Sequence, residues 1–163
     1  MSTLKFHTLK VKNLKKETSD SVSISFEIPS ELSSSYTFIQ GQSIALRQTI
    51  KGEDVRRSYS ICSSPLDNEL RVGIKMVENG LFSTFANREL KEGDTLEVMT
   101  PSGHFYTELN PSQSKQYLAF AAGSGITPVL SMVKTHLNAE PSSTCKLFYV
   151  NKTAKSIIFK EEL

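Results

Sequence analysis

Tryptophan is absent from this 163-residue chain, and cysteine occurs only twice, at Cys62 and Cys145. The two cysteines lie far apart and form no C-x-x-C pair, so neither a disulfide framework nor a zinc site is indicated. No apolar run approaches the roughly 18 residues needed to cross a bilayer. The opening MSTLKFHTLKVK mixes charged with apolar residues and has no signal-peptide core. Excess charge of one sign is also missing. Nineteen Lys+Arg stand against 17 Asp+Glu, and the resulting net charge of +2 is too small to argue for nucleic acid. A cytoplasmic protein with no membrane or nucleic-acid partner is the expectation.

What is present builds a core. Nine Phe, five Tyr and 38% hydrophobic residues with 22% charged ones exclude a disordered chain. The length suits one ordinary domain, or a small domain plus part of another. Lys5, Lys10, Lys12, Lys15 and Lys16 crowd the first sixteen residues. Such a cluster reads either as a solvated strand face or as a docking patch for an acidic partner.

The first hundred residues carry a strand pattern. The stretch 21–28 alternates strictly with Val22, Ile24, Phe26 and Ile28 on one face, and 70–77 does the same with Leu70, Val72, Ile74 and Met76. Weaker alternation runs through 6–14, 43–47 and 95–99. Turn signals at Pro29-Ser30, Lys51-Gly52, Asp67-Asn68, Gly93-Asp94 and Pro101-Ser102-Gly103 separate these runs. Five or six punctuated strands predict a small antiparallel barrel or sandwich, with one short helix over 83–90.

After Asn110-Pro111-Ser112 the pattern changes. The run 116–121 is near-continuously apolar, as expected of a strand buried on both faces of a parallel sheet. Thr127-Pro128 reads as an N-cap followed by proline at the first helical position. Leu130, Val133 and Leu137 would form the stripe of that helix. Residues 146–150 would be a second buried strand, and 156–163 the first turns of a further helix. Residues 116–150 are thus a predicted βαβ unit. Two parallel strands leave open edges and uncovered faces, so the expectation is that this chain is a fragment of a longer protein or that a second chain completes this part.

Three stretches carry chemistry. In Arg57-Ser58-Tyr59-Ser60, at a strand end, the guanidinium offers a fork of donors suited to phosphate. Tyr59, two residues on and on the same face, could lay its ring on a flat ligand. Asn79-Gly80-Leu81-Phe82-Ser83-Thr84 enters a short helix, where glycine permits close approach and free N–H groups attract anions. The plainer alternative is that Ser83 or Thr84 caps the helix. Ala122-Gly123-Ser124-Gly125-Ile126-Thr127-Pro128 joins strand to helix, a place where α/β folds bind nucleotides. Pro128 replaces the third glycine of G-x-G-x-x-G, which weakens that fingerprint. Val150-Asn151-Lys152-Thr153 ends the second strand without the acid that holds NAD ribose, which favours NADPH over NADH.

These stretches together resemble the ferredoxin–NADP reductase superfamily. RRSYSICSSP at 56–65, GLFSTF at 80–85, GDTLEVMTPSGHF at 93–105 and AFAAGSGITPVLSM at 119–132 follow the family's order and spacing. Within it the chain is similar to the reductase component of phenylacetyl-CoA oxygenase and other ring-oxygenase reductases. The resemblance implies an FAD-binding antiparallel barrel over 1–108 and a truncated NAD(P)-binding α/β unit over 109–163. Arg57 would bind the FAD pyrophosphate, Tyr59 would stack on the isoalloxazine, and Ser60 would sit near flavin N5. Strict alternation turns Ser60 away from the Tyr59 face, so this role needs a local twist. Ser58 and Ile74 complete the flavin-site residues, and Lys75 either lines the flavin edge or is a solvated strand residue. Gly80, Leu81, Phe82, Ser83 and Thr84 would cradle the pyrophosphate. Gly123, Gly125 and Thr127 would approach the nicotinamide ribose and its diphosphate, Thr127 near the flavin as well.

The implied reaction passes a hydride from NAD(P)H to the flavin and then single electrons to an iron–sulfur centre that feeds an oxygenase. Ser60 and Tyr59 would be the residues nearest the reacting atoms. A plant-type [2Fe–2S] domain or a ferredoxin would accept the electrons, since the C-x₄-C-x₂-C pattern is absent here. The isolated chain is expected to bind FAD and to turn over NAD(P)H poorly. No metal site is expected: His7, His104 and His136 are isolated. Cys62 reads as a buried core residue. Two rivals remain: a cofactor-free barrel that binds nucleic acid or a partner protein, and a flavoprotein using FMN or delivering to a flavodoxin or cytochrome.

Overall fold

The computed structural model describes residues 5–163; the first four residues of the stretch read for a signal peptide lie outside the described residues. Six strands form one antiparallel sheet: β1 (Phe6–Thr18), β2 (Ser21–Glu27), β3 (Ser43–Ile50), β4 (Glu53–Ser60), β5 (Arg71–Lys75) and β6 (Thr95–Met99). Their order is β4-β3-β6-β1-β2-β5. The sheet curls into a half-barrel, so its edge strands β4 and β5 approach each other and touch through the bridge between Ile61 and Val72. The alternation in the sequence sets the inner face. Val22, Ile24, Phe26, Ile44, Leu46, Leu96, Val98, Val72 and Ile74 form one cluster, closed at one end by Phe82 and Ala86 of helix α1 (Leu81–Arg88).

Several element bounds differ from the sequence pattern: β3 runs on to Ile50, and β5 is only Arg71–Lys75 of the 70–77 alternation. β1 is 13 residues long, and its shifts in register between Val11 and Asn13 and between Lys16 and Thr18 blur the period. The short helix starts two residues earlier than its apolar residues suggest, with Gly80 as N-cap. Gly41 shows how tightly the barrel meets the following segment: at φ +86°, a Cβ there would stand 1.9 Å from the Phe105 carbonyl oxygen.

The second part holds β7 (Gln116–Ala122) and β8 (Thr144–Val150), paired in parallel, with α2 (Ile126–Ala139) between them. The expectation of strands buried on both faces is not met. Tyr117, Ala119, Ala121, Leu147 and Tyr149 are half-buried, whereas Leu118, Phe120, Phe148 and Val150 are 51–69% exposed on the other side. A single helix can shield only one face of a two-stranded sheet. The rings of Phe120 and Phe148 stack on each other there, 5.0 Å between centroids.

Three local readings also change. Thr127 does not cap α2. The cap is Gly125, and the Thr127 hydroxyl, already inside the first turn, donates to Ser124 O at 3.0 Å. Of the three stripe residues, Leu130 is buried but Leu137 is exposed; the buried side of α2 carries Ser131, Thr135 and His136 as well. Residues 156–163 are not the start of a helix but follow a 3-10 turn at Ala154–Ser156 with further turns.

Candidate functional site

The seam between β4 and β5 is where the sheet leaves a gap. β4 pairs with β3 along its whole length, Ile44 opposite Tyr59 and Leu46 opposite Arg57, so its other edge is free until Ile61 reaches Val72. Arg57 and Tyr59, two residues apart, share a face of that edge strand. The Tyr59 ring is half-buried against the core and tilts on Phe82, 5.7 Å between centroids. Burial pushes the Tyr59 phenol up to about 12, with the nearby Arg57 charge opposing, so the hydroxyl is neutral at ordinary pH. Arg57 is exposed, and its one side-chain hydrogen bond among the described residues goes to the adjacent Arg56 O, 2.7 Å from Nη1. Ser58 is exposed. Ser60, half-buried, is the last residue of β4, opposite Ser43 and beside the crossing to β5.

Gly80 lies below this seam at the entry to α1. A Cβ on Gly80 would stand 2.5 Å from both Ser83 Oγ and Val77 Cγ2, so only glycine fits the turn. Among the described residues no side chain caps the helix. Ser83 cannot, because it is already the third helical residue; its buried hydroxyl donates to Gly80 O at 3.3 Å and accepts from Val77 N at 3.2 Å, which ties the turn together. The first N–H groups of α1 are therefore without a side-chain partner, as suits an incoming anion. Leu81 and Thr84 line a depression of about 280 Å³ beside this turn, together with Ile50, Lys51, Asn79, Gly80 and Glu89. Phe82 is buried beneath Tyr59 and belongs to the core.

Ile74 and Lys75 end β5. The Ile74 side chain is buried in the barrel, and its carbonyl accepts from Asn87 Nδ2 at 3.1 Å. Lys75 Nζ lies 3.6 Å from Asp20 Oδ2, an ion pair at the rim. The sequence motifs point to neither Lys51 nor Asn87 as a site residue. Lys51 is visible there only as part of a turn, where it sits at φ +51°. Asn87 follows Ser83 by four, the spacing at which its amide also reaches Ser83 O, 2.9 Å away.

The glycine turn of the second part stands at the carboxyl end of β7, in a 3-10 turn from Gly123 to Gly125 that leads into α2. Gly123 has φ +49°, and its carbonyl accepts from Tyr149 OH at 2.8 Å. A Cβ on Gly123 or Gly125 would meet nothing within 4 Å. The space above the turn is thus open, and no contact within the described residues demands glycine there. Asn151, just past β8, keeps a buried Nδ2 without a partner among the described residues. Thr127 is buried, and its methyl packs towards Gly73 of β5. That contact seats the glycine turn on β5, the strand that also meets β4 and α1.

An exposed guanidinium and a half-buried aromatic ring lie on the edge strand β4, and a glycine-only turn leads into a helix start that no described side chain caps. The model of the oxidoreductase FAD-binding domain matches residues 8–106, and that of the oxidoreductase NAD-binding domain matches 120–163. The chain belongs to the FAD-binding oxidoreductase family. It is 44% identical over 158 residues to one subunit of the 1,2-phenylacetyl-CoA epoxidase of Escherichia coli, a match covering 97% of this chain and 44% of that protein. It is 38% identical over 157 residues to the ferredoxin reductase component of 3-ketosteroid-9-alpha-monooxygenase of Rhodococcus rhodochrous, covering 95% and 44%. Among solved structures, phthalate dioxygenase reductase superposes with a TM-score of 0.81 at 28% identity, over 97% of this chain and 47% of that one. The chain spans less than half the length of these relatives. The ferredoxin reductase-like resemblance seen in the motifs, and the half-barrel followed by a small α/β region, hold for this FAD-binding oxidoreductase.

The remaining singled-out residues serve the frame. Cys62 is fully buried, donates to Arg71 O at 3.3 Å, and is pushed up to about 12 by burial. His136 is not isolated: it is buried, with Nε2 2.7 Å from Thr107 Oγ1 and Nδ1 3.1 Å from Glu140 Oε1. Glu140 has no exposed surface. Burial alone would raise its carboxyl, but hydrogen bonds from Tyr117 OH, Asn110 N, Gln113 Nε2 and Ser143 Oγ bring it down to about 2. This knot fastens the connector that follows the barrel to the end of α2. Among the described residues no cluster of His, Cys, Asp or Glu could hold a metal ion, and no helix is long and apolar enough to cross a membrane.

Proposed function

We propose that this chain is the flavin-and-nucleotide part of an NAD(P)H-dependent reductase that supplies electrons to an oxygenase of the phenylacetate-degrading type. Residues 1–108 would hold FAD and residues 109–163 the first portion of the nucleotide site. The observation that carries the reading is the seam itself: Arg57, exposed and in no ion pair among the described residues, shares a strand face with the half-buried Tyr59 ring, which leans on Phe82 at the start of a helix that no described side chain caps. A diphosphate flanked by a planar aromatic group satisfies all three at once.

FAD, when bound, supplies the redox chemistry by taking a hydride from NAD(P)H and releasing electrons singly. The chain's own residues bind and orient. Arg57 would give charge-assisted hydrogen bonds to the pyrophosphate, and the N–H groups of Leu81, Phe82 and Ser83 would close on it from the helix end, with Gly80 and Thr84, whose own N–H groups bond to Val77 O and Gly80 O, shaping the turn around it. Ser58 faces solvent on the same strand. Tyr59 presents a ring already held by Phe82, which limits the entropy lost on stacking. Ser60, beside the strand crossing, is the residue assigned to the N5 side, with Ile74 and Lys75 bounding the flavin edge. Gly123 and Gly125 leave room for the nicotinamide nucleotide to come close, and Thr127, buried against Gly73, fixes the turn beside them. Lys152 and the lack of an acid at the strand end, Val150-Asn151-Lys152-Thr153, favour a 2′-phosphate, hence NADPH. An iron–sulfur domain or ferredoxin is the assigned electron acceptor, with the oxygenase component beyond it.

The test is the visible spectrum of the purified chain, first as isolated and then after separate incubation with FAD or FMN. Bands near about 370 and 450 nm that survive gel filtration are expected. Acid release and chromatography then distinguish FAD from FMN. A colourless protein that titrates with neither flavin overturns the reading.

A further inference from the structure

The barrel and the α/β part meet across a small interface with two halves. In one, the loop after β4 holds the later part of α2: Ser131 Oγ donates to Ser63 O at 2.7 Å, Ser64 Oγ lies 2.8 Å from Thr135 Oγ1, and Lys134 Nζ is 2.7 Å from Asp67 Oδ2. In the other, β5 receives the turn at 159–162, closed by Glu162 N donating to Phe159 O at 2.9 Å. Arg71 grips that turn. Its Nη1 and Nη2 each donate to one Glu162 carboxylate oxygen at 2.7 Å, a fork-to-fork pair, and its guanidinium carbon lies 5.4 Å from the centre of the Phe159 ring. The ring in turn sits on Gly73: a Cβ there would be 3.0 Å from Phe159 Cζ and 2.9 Å from Thr127 Cγ2. One glycine therefore receives both the 159–162 turn and the first turn of α2.

Phe159 adopts φ +60°, a left-handed conformation unusual for an aromatic residue. Such a conformation persists where the surroundings over-determine it. Here they do, because the ring is buried with Ile126, Leu130, Ile158 and Cys62 and is held under the pair of Arg71 and Glu162. The start of α2, which carries the Gly123–Gly125 turn, is thus seated on β5 by Thr127 and Phe159, and Arg71 locks that seat.

We infer that Arg71, through Glu162 and Phe159, is a positioning residue for hydride transfer: it fixes the height and angle at which the glycine turn presents the nicotinamide to the flavin face. The inference rests on the reductase function proposed above. Nothing in it requires Arg71 to touch either ligand. Misplacing a bound reactant by about 1 Å from a distance can cost about a hundredfold in rate, and a forked ion pair spanning the domain interface is placed to prevent such a shift.

The test uses the FAD-loaded chain in anaerobic stopped flow, with NADPH as reductant and dithionite as a reductant that needs no docking. In Glu162→Gln and Arg71→Leu the limiting rate of flavin bleaching by NADPH should fall at least about tenfold, while FAD affinity and dithionite bleaching stay within about twofold. Arg71→Lys, which keeps the positive charge between Glu69 and Glu162 but loses the fork, should recover at least about threefold of the rate lost in Arg71→Leu. Both single variants at the unaltered rate, or a lysine variant no better than Arg71→Leu, overturns the inference. If the unaltered chain takes up no FAD, the proposed function fails instead; an unaltered FAD-loaded chain bleached by dithionite but not by NADPH matches the expectation of a nucleotide site present only in part. Amide hydrogen exchange at Ile126 and Leu130 then decides the grip: at least about tenfold faster exchange in Glu162→Gln supports it, and unchanged exchange refutes it.

Discussion

Replacing Arg57 by alanine separates binding from folding more cleanly than any other change in the site. The side chain is exposed, enters no ion pair among the described residues, and donates only to its neighbour's carbonyl. Its removal leaves no buried group unsatisfied, so stability should stay within about 0.5 kcal/mol, as for ordinary surface substitutions. Binding should respond strongly. Charge-assisted hydrogen bonds are worth about 1.5–3 kcal/mol each when made, and exposure at the strand edge reduces the total for a forked contact to about 2–3 kcal/mol. At about 1.4 kcal/mol per tenfold, the FAD dissociation constant should rise about 30- to 150-fold. Quenching of flavin fluorescence on titration gives the constant, and thermal unfolding of the apo chain gives the control. Lysine at 57 should recover only part of the loss, because an ammonium cannot make the fork. An unchanged dissociation constant with a lowered Tm would refute the assignment, since Arg57 would then serve the fold and not the diphosphate.

Other substitutions test the neighbouring contacts. Tyr59→Ala removes a half-buried ring from Phe82 and should cost about 2 kcal/mol of stability together with most flavin affinity, whereas Tyr59→Phe should keep both; denaturant midpoints and FAD titration check this. Gly80→Ala forces a methyl to within 2.5 Å of Ser83 Oγ and Val77 Cγ2, so FAD binding should weaken about tenfold or more even where the barrel still folds. Glu140, held down to about 2 in the folded chain against 4.5 as its ordinary value, adds stability that is fully present above about 4.5 and is lost as pH falls towards 2. Glu140→Gln should flatten the fall of Tm between about pH 5 and 2.5, and a fall as steep as the unaltered chain's would show that another carboxylate governs it.

Much of the barrel was legible because its strands obey a period of two on a half-buried sheet. Ser21–Glu27 and Thr95–Met99 appear nearly as the alternation drew them. β4 was less so: residues 53–57 are charged almost throughout, since an edge strand beside an open seam buries little more than Val55 and Tyr59. The site was legible as types of residue at turns, and the roles of individual hydroxyls were not. Ser83 and Thr127 were both plausible caps by composition, and both turned out to lie inside their helices, donating back to turn carbonyls at Gly80 and Ser124. A cap is decided by where the helix begins, which a sequence leaves open by a residue or two.

The second part shows why an apolar run is an ambiguous message. Gln116–Ala122 and Thr144–Val150 have the composition of strands covered on both sides, yet α2 covers one side only, and Leu118, Phe120, Phe148 and Val150 face outward. Composition states what a strand can bury; the neighbours present decide what it does bury. The domain interface was hidden for a different reason. Arg71 and Glu162 are 91 residues apart, and each alone reads as ordinary surface charge. Gly73 reads as a weak point in a strand, although its missing side chain is what admits Thr127 and Phe159 together. Chemistry set by one loop leaves a local signature, and alignment between two domains is written in pairs that only the fold brings into contact.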